Sequence, residues 1–447
     1  MTFALLLAAC TSSQEPNDDD DVFVPPPPRT TPYMNVFMIS IDTLRRDHVD
    51  RYATDGVERM PFLSSLLADG VALDDHRQCS NWTFHSMSCT TLGRPVEEIG
   101  WTARMGSPAQ AMPLGLPTLA QRLSDVGFYT AVRSSNGWFS AEWNTTQGYE
   151  VVTPPAGGAL RGQIAAITAQ AVTDLAGEPD RPWFLHVHTT EPHAAYAPPD
   201  TYLLDLAGLD PVPWDLGDTE EIYDAFDTFP TLPPEEQELL EQHLTIRYDG
   251  ELRWVDDQLR DVWPELESGG WLQDTLVVWW TDHGEQFWEH GHSTHAWLLG
   301  PEEVEGVLGF WATDITPGAI AAQTHAVDLV PTVLDYLGLP VPDDGTLPGL
   351  VASTAPPVRT MFTNTAARAG AITSVLDGGW ELQFTFSSGQ LALYDVGTDP
   401  GRLTNLYAPE HPEVARLWAL LQPKAELLAA AAPDLIPLWP TLPTSSL

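Results

Sequence analysis

Two uninterrupted apolar runs constrain this chain more than any other feature. Asn35 to Ile41 (NVFMISI) is followed by Asp42, and Thr275 to Thr281 (TLVVWWT) is followed by Asp282-His283-Gly284-Glu285. Neither run alternates apolar with polar residues, so neither reads as a strand with one wet face. Both read as strands buried on two faces, the pattern of a parallel sheet covered by helices. Each ends on an aspartate. In open α/β sheets ligands bind beyond the carboxyl ends of strands, which makes Asp42 and Asp282 candidate metal ligands. His283 adds an imidazole to the carboxylates, a set that suits a divalent ion, and Gly284 lets the backbone turn tightly beside it. Taken alone, Asp42 reads equally well as the cap of the turn that follows it.

Between and after these runs the chain repeats helix, glycine, strand. Residues 60–70 (MPFLSSLLADG), 116–127 (LPTLAQRLSDVG) and 164–176 have helical spacing, and strands follow at 128–132 and at Trp183 to His188 (WFLHVH). That alternation is the pattern of an α/β protein. The second strand runs into Thr189 to His193, another polar group just past a strand's end. Residues 194–241 are rich in proline, acid and aromatics without a sustained period, and read as a variable insertion or lid facing a substrate. Helices are expected again at 248–266 and 326–338. A Ser-Ser-Gly turn between 380–386 and 391–396 then predicts a hairpin. The organisation expected is a main α/β domain over 34–345, a smaller α+β subdomain over 346–425 and an irregular tail from 426 to 447.

Ser80 to Arg94 (SNWTFHSMSCTTLGR) predicts a short helix with Thr83 near its start and Gly93 at its left-handed end. A hydroxyl at a helix N-terminus lies among unpaired N–H groups and at the positive end of the dipole, which favours an alkoxide or a bound anion. The plainer reading is that Thr83 only caps the helix. His290, His292 and His295, clustered after Asp282-His283, add candidate acids, bases and ligands.

Charge excludes one class of partner. Among the 447 residues are 20 basic and 62 acidic side chains, a formal net charge of −42, and Lys424 is the single lysine. Nothing here could displace counterions from a nucleic acid. No stretch of 18 apolar residues predicts a membrane-spanning helix. Leu5 to Cys10 (LLLAAC) resembles a bacterial lipoprotein signal, in which Cys10 is lipidated after cleavage, although none of the nine residues before it is basic. Thr11 to Tyr33 is largely polar, acidic and proline-rich, a tether without the means to build a core. The expected location is the bacterial cell envelope, reached through a lipid anchor. The remaining cysteines, Cys79 and Cys89, form no zinc pattern and read either as a disulfide or as two buried thiols.

Taken together, the ordered motifs resemble the sulfatase branch of the alkaline phosphatase superfamily. NVFMISIDTLRRD (35–47), RPWFLHVHTTEPHAAY (181–196), the helix around Tyr248 to Asp257, TLVVWWTDHGEQFWEHGHS (275–293), VDLVPTVLDYLGLP and LYDVGTDPGRLTNL (393–406) follow the family's order over roughly residues 34 to 410. The resemblance implies an α/β/α sandwich around a large, mostly parallel sheet, with a smaller C-terminal subdomain. It also implies a metal-dependent hydrolase of sulfuric or phosphoric esters. The nucleophile segment departs from the pattern. Counting back from Gly93, the nucleophile position falls on Thr83, with His85 in place of a proline, Met87 of an arginine and Leu92 of a threonine, while Ser86 fits. Neither Cys79 nor Cys89 stands at the right distance to become formylglycine, and the family's sulfate-binding lysines have no counterpart.

The chemistry expected is therefore attack by Thr83 on a phosphoester. Asp42, Thr83, Asp282 and His283 would hold one divalent ion (calcium, manganese, magnesium or zinc), with a second left open. His193 and His292 would position the ester or protonate the leaving group, and Arg45 and Ser86 would contact the anion. The substrate expected is a small molecule, or a glycan or lipid ester. Two alternatives stand beside this reading: a sulfate-ester hydrolase that works without formylglycine, and a surface-anchored binding protein on a degenerate enzyme fold.

Overall fold

The computed structural model describes residues 33–99, 111–153, 164–176, 181–342, 359–366, 368, 370–432 and 437–440. Cys10 and the tether up to residue 32 lie outside them. The chain runs β1 (Asn35–Ile41), α1 (Pro61–Asp69), β2 (Val71–Arg77), α2 (Thr83–Leu92), α3 (Val96–Ile99), α4 (Leu119–Asp125), β3 (Tyr129–Ser134), β4 (Val151–Thr153), α5 (Ile164–Leu175) and β5 (Trp183–Thr189). Next come α6 (Thr219–Thr228), α7 (Pro234–Ser268), β6 (Thr275–Thr281), the ribbon β7 (Gln286–Phe287) and β8 (Ser293–Thr294), α8 (Pro301–Val304), β9 (Leu308–Trp311), β10 (Gly318–His325) and α9 (Leu329–Tyr336). The C-terminal part holds β11 (Met361–Thr365), β12 (Ile372–Asp377), β13 (Trp380–Thr385), β14 (Gln390–Asp395) and α10 (Pro412–Ala431).

Eight strands form one sheet in the order β10-β2-β9-β6-β1-β5-β3-β4. β9 alone runs against the rest. β1 lies near the middle, and its pleat sends side chains to both covered faces. Val36 and Met38 pack with Met87 of α2, Leu119 and Leu123 of α4 and Val330 and Val333 of α9. Phe37, Ile39 and Ile41 pack with Leu63 and Leu67 of α1, Ile167 of α5 and Leu252 and Leu259 of α7. This is why the run needs no polar alternation: a helical layer removes each face from water, and each fully buried large side chain contributes about 1.5–3 kcal/mol. The result is the α/β/α sandwich expected.

The smaller C-terminal subdomain is an antiparallel sheet, β11-β12-β13-β14, with α10 across it. Its apolar cluster extends to Phe84, Cys89 and Leu92 of α2. One helix is thus gripped by both parts of the molecule. Cys79 and Cys89 are paired beside it, their Cα atoms 6.7 Å apart.

The structure departs from the expected elements in two places. The segment read as irregular at 194–241 contains α6, whose N-cap Asp218 accepts from the N–H groups of Glu220 and Glu221, and the first two turns of α7. α7 begins at Pro234 and runs 35 residues, past Pro264. Its buried stripe at Leu240, Leu244, Tyr248, Leu252 and Val255 starts before the segment first read as helical. The second departure is α10, which continues past the boundary drawn at 425. Beyond it, Trp439 stacks on Phe384 at 5.6 Å, so this part of the tail packs on the subdomain.

Candidate active site

Register brings the two aspartates together. β1 and β6 are parallel neighbours with Ile41 opposite Thr281, so Asp42 and Asp282 leave the sheet side by side. β5 flanks β1 on the other side and places His188 opposite Ser40. All of these side chains are fully buried.

Each acidic or imidazole group at this point has one atom pinned and another turned inward. Asp282 Oδ1 accepts from the backbone N–H of His283 at 2.8 Å and of Thr43 at 3.2 Å, while its Oδ2 has no hydrogen-bond partner among the described residues. Asp42 Oδ2 accepts from Asn136 Nδ2 at 2.7 Å, and its Oδ1 has no hydrogen-bond partner among the described residues. His283 Nδ1 donates to the Gly284 carbonyl at 2.9 Å, which fixes the tautomer and leaves Nε2 as a lone pair. His283 Nε2 lies 3.7 Å from Asp42 Oδ1 and 3.6 Å from Asp282 Oδ2. One ligand atom from each of the three lies within 4.8 Å of the others. Gly284 is required here, because a Cβ would collide with the Glu302 carbonyl.

The electrostatics agree with the geometry. Burial, then the charge of Asp42, pushes the Asp282 carboxyl well above the usual range. Burial works against ionisation of Asp42 too, yet His188, His193 and His283 hold it below that range. Two buried carboxylates this close cannot both stay charged without a cation. Orphaned inward oxygens, an imidazole lone pair and uncompensated negative charge fit a divalent ion.

Behind this centre runs a chain of buried polar groups. His188 Nε2 faces Asp42 Oδ2 at 3.5 Å. Its Nδ1 meets Ser40 Oγ at 2.8 Å, Ser40 Oγ meets His186 Nε2 at 2.8 Å, and His186 Nδ1 meets the Tyr149 hydroxyl at 3.0 Å. The chain holds the His188 ring against Asp42.

α2 points its N-terminus at the same place. The N-cap position belongs to Trp82, not Thr83, and carries no side-chain cap bond. Thr83 is the first helical residue, and its hydroxyl donates to His283 Nε2 at 3.1 Å. Gly93 ends the helix at φ 67°, as expected. Ser86 does not face the inward atoms; its hydroxyl donates to the Asp282 carbonyl and fastens α2 to the end of β6. Arg45 is likewise engaged elsewhere, by Asp47 and Glu289.

The histidines separate into two groups. His283, His295 and His193 are in ring contact, at 4.3 Å between the first two and 5.1 Å between the last two. His193 Nδ1 donates to the Ala194 carbonyl at 2.8 Å, so its Nε2 is free to act. His295 Nδ1 pairs with Glu285 at 3.0 Å, and Glu285 also accepts from the Tyr196 hydroxyl at 3.2 Å. Burial raises the Glu285 carboxyl to about 7. His292 sits apart, stacked on Trp297 at 4.8 Å in a cleft of about 200 Å³. Arg368, from the loop after β11, reaches the same cleft.

Reasoning from sequence missed His188, Asn136, His295's place beside His283, and Arg368. His186 and His188 did carry a signal: two histidines two apart face the same side of an otherwise apolar strand. Nothing local marked Asn136 or Arg368.

A family model described as Sulfatase matches residues 34–339. Two curated relatives match parts of the chain. Choline-sulfatase of Rhizobium meliloti (strain 1021) is 23% identical over 280 residues, 55% of this chain and 51% of that protein. The multifunctional alkaline phosphatase superfamily protein PehA of Trinickia caryophylli is 25% identical over 198 residues, 38% of this chain and 37% of that protein. The chain thus spans about half or less of these relatives. Among solved structures, BT4656 in complex with its substrate D-glucosamine-2-N,6-O-disulfate has a TM-score of 0.71 at 17% identity, covering 88% of this chain and 98% of that one. The phosphonate monoester hydrolase SpPMH from Silicibacter pomeroyi has a TM-score of 0.69 at 20% identity, covering 88% and 94%.

Proposed function

Because the chain belongs to the sulfatase family, we propose that it is a metal-dependent ester hydrolase that cleaves phosphoric esters with Thr83 as nucleophile. The observation that carries the reading is the Thr83 hydroxyl, at the first turn of α2 and 3.1 Å from His283 Nε2. When bound, a divalent ion would supply Lewis-acid charge that lowers the hydroxyl's pKa. Asp42, Asp282 and His283 would hold it.

The chain's own groups then do the rest. The α2 dipole favours negative charge on Thr83 Oγ1. That oxygen gives up its proton to solvent as it attacks phosphorus in line, the bond to the ester oxygen breaks, and the departing alcohol takes a proton from a protonated histidine. His193, with Nε2 unpartnered among the described residues, is the candidate. Water then attacks the phosphothreonine and restores the hydroxyl. A formylglycine hydrate can expel sulfate by breaking its own C–O bond. Threonine has no such route, which favours phosphorus over sulfur. Cys10 would attach the protein to the cell envelope.

Turnover of aryl phosphate, phosphate diester and aryl sulfate, each with calcium, manganese or zinc, tests the proposal beside Thr83→Ala. Phosphoester turnover lost in the variant is the expected result. Sulfate turnover that needs Thr83 would overturn the phosphorus assignment. Metal binding with no turnover of any ester would favour a binding role.

A further inference from the structure

The cleft beside the metal centre has a wall unlike the rest of this acidic molecule. Tyr223 and Phe226 of α6, with Trp288 and Trp297, give it apolar surface, and His292 and Arg368 give it polar groups. Arg368 is held by its backbone-facing edge. Its Nε donates to the His295 carbonyl at 3.1 Å, its Nη2 donates to Thr294 Oγ1 at 3.2 Å, and its guanidinium lies 4.4 Å over the Trp297 ring. Those contacts fix the fork and leave N–H donors unused. Among the described residues no carboxylate lies within ion-pair distance of it, whereas Arg45, Arg59, Arg77 and Arg402 each meet acids. The acid on the cleft's wall, Asp227, is exposed on α6.

The cleft also adjoins the chemistry. Thr294 precedes His295, whose ring touches His283 and His193. A group seated against Arg368 therefore lies beside His295, whose ring packs on His283. Burial, then the charge of Arg368, holds His292 below its usual pKa. An uncharged imidazole there offers a hydrogen bond rather than a second charge. The cleft offers about 200 Å³. An engineered cavity of about 150 Å³ holds benzene, so this one has room for a six-membered ring with a substituent.

We propose that this cleft receives the alcohol part of the ester, and that it selects one ring carrying a second negative group, which Arg368 binds. The proposal rests on the reading that esters are cleaved at Thr83 and adds the class of alcohol. A planar aryl acid and a uronic acid share this chemistry, and the probes separate them.

Tryptophan-fluorescence titration of the full chain, with manganese present, would compare 4-hydroxybenzoate, glucuronate and phenol on wild type, Thr83→Ala, Arg368→Gln and Arg368→Lys. At least one of the two acids should bind at least tenfold more tightly than phenol, equally in wild type and Thr83→Ala. Arg368→Gln should remove that preference without changing phenol binding, and Arg368→Lys should keep much of it. The tighter acid identifies the ring as flat or puckered. If neither acid exceeds phenol, or Arg368→Gln leaves acid affinity unchanged, the proposal falls; the latter result would place the carboxylate on the metal. Product binding needs no bond cleavage, so a failure of phosphoester turnover leaves this test standing.

Discussion

Two buried charged clusters in this protein look alike by composition and differ in satisfaction. One joins the main domain to the C-terminal subdomain. There Glu381 meets Arg77 at 2.7 Å and Arg402 at 3.3 Å, Gln383 donates to Glu381 at 3.0 Å, and Arg402 reaches on to Glu305 at 2.7 Å. The other is the Asp42–Asp282–His283 centre, where an oxygen of each aspartate has no hydrogen-bond partner among the described residues. Burial opposes charge in both. Arg77 and Arg402 nonetheless hold Glu381 below its ordinary pKa, while Asp282 is driven well above its own. A cluster that closes on itself is architecture. One that leaves inward atoms unpaired has been shaped for something that binds.

Four experiments sharpen or break that contrast. The largest effect expected is on turnover. Thr83→Ala should lower kcat/KM on a phosphoester on the order of 10⁴-fold or more. Its unfolding free energy should move by only about 1 kcal/mol, the worth of one hydrogen bond. Steady-state kinetics beside urea denaturation would show both, and equal damage to fold and turnover would break the contrast.

Glu381→Gln should do the opposite. It leaves the buried Arg77 guanidinium with no carboxylate partner among the described residues and Arg402 with Glu305 alone, and should cost about 3–5 kcal/mol of stability, read by urea denaturation. A near-neutral result would mean the cluster relaxes or admits water.

Metal is the third lever. An ion that binds only the folded state stabilises it by about 2.7 kcal/mol at one hundred times its Kd. Thermal denaturation with manganese against EDTA should show that gain in wild type and not in His283→Ala. Equal gains in both would place the ion elsewhere.

The fourth lever is pH, with an effect over the measured range about equal to that of the metal. Burial, then Arg359, pushes His325 near the closed cluster down to about 3, against about 6.5 unfolded. The folded state keeps this imidazole neutral, so between those values only the unfolded chain binds its proton. This contribution to stability is full above pH 6.5 and declines as pH falls toward 3, by up to about 1.4 kcal/mol per pH unit. His325→Gln should flatten that part of the profile, measured by urea denaturation from pH 4.5 to 7.5. An unchanged slope would remove His325 as its source.

Much of the centre was legible because strand ends carry it. Asp42 and Asp282-His283 each follow a doubly buried strand directly, so a local pattern located three residues that the fold brings together as a candidate metal site. Thr83 was singled out as a nucleophile through the resemblance, by its distance from Gly93 in the family's motif; the local pattern alone read it as a cap. Arg45 and Ser86 show the limit of that logic. Residue type and proximity in sequence suggested anion contacts, but Asp47, Glu289 and the Asp282 carbonyl engage them instead. The unbroken α7 was missed because its stripe begins within a segment dominated by proline and acid.

By itself, then, the sequence determined the layered α/β architecture, the strands that end in carboxylate and imidazole groups and the helix whose first residue carries a hydroxyl. Periodicity, glycine and chain order are local properties, and they act before any tertiary contact forms. Only the tertiary structure decided which polar atoms go unpaired. It brought Asn136 and His188 against Asp42, set His295 on His283, and carried Arg368 from the far subdomain into the cleft. Those placements depend on strand order and on which acids are already taken. No spacing along a chain encodes that.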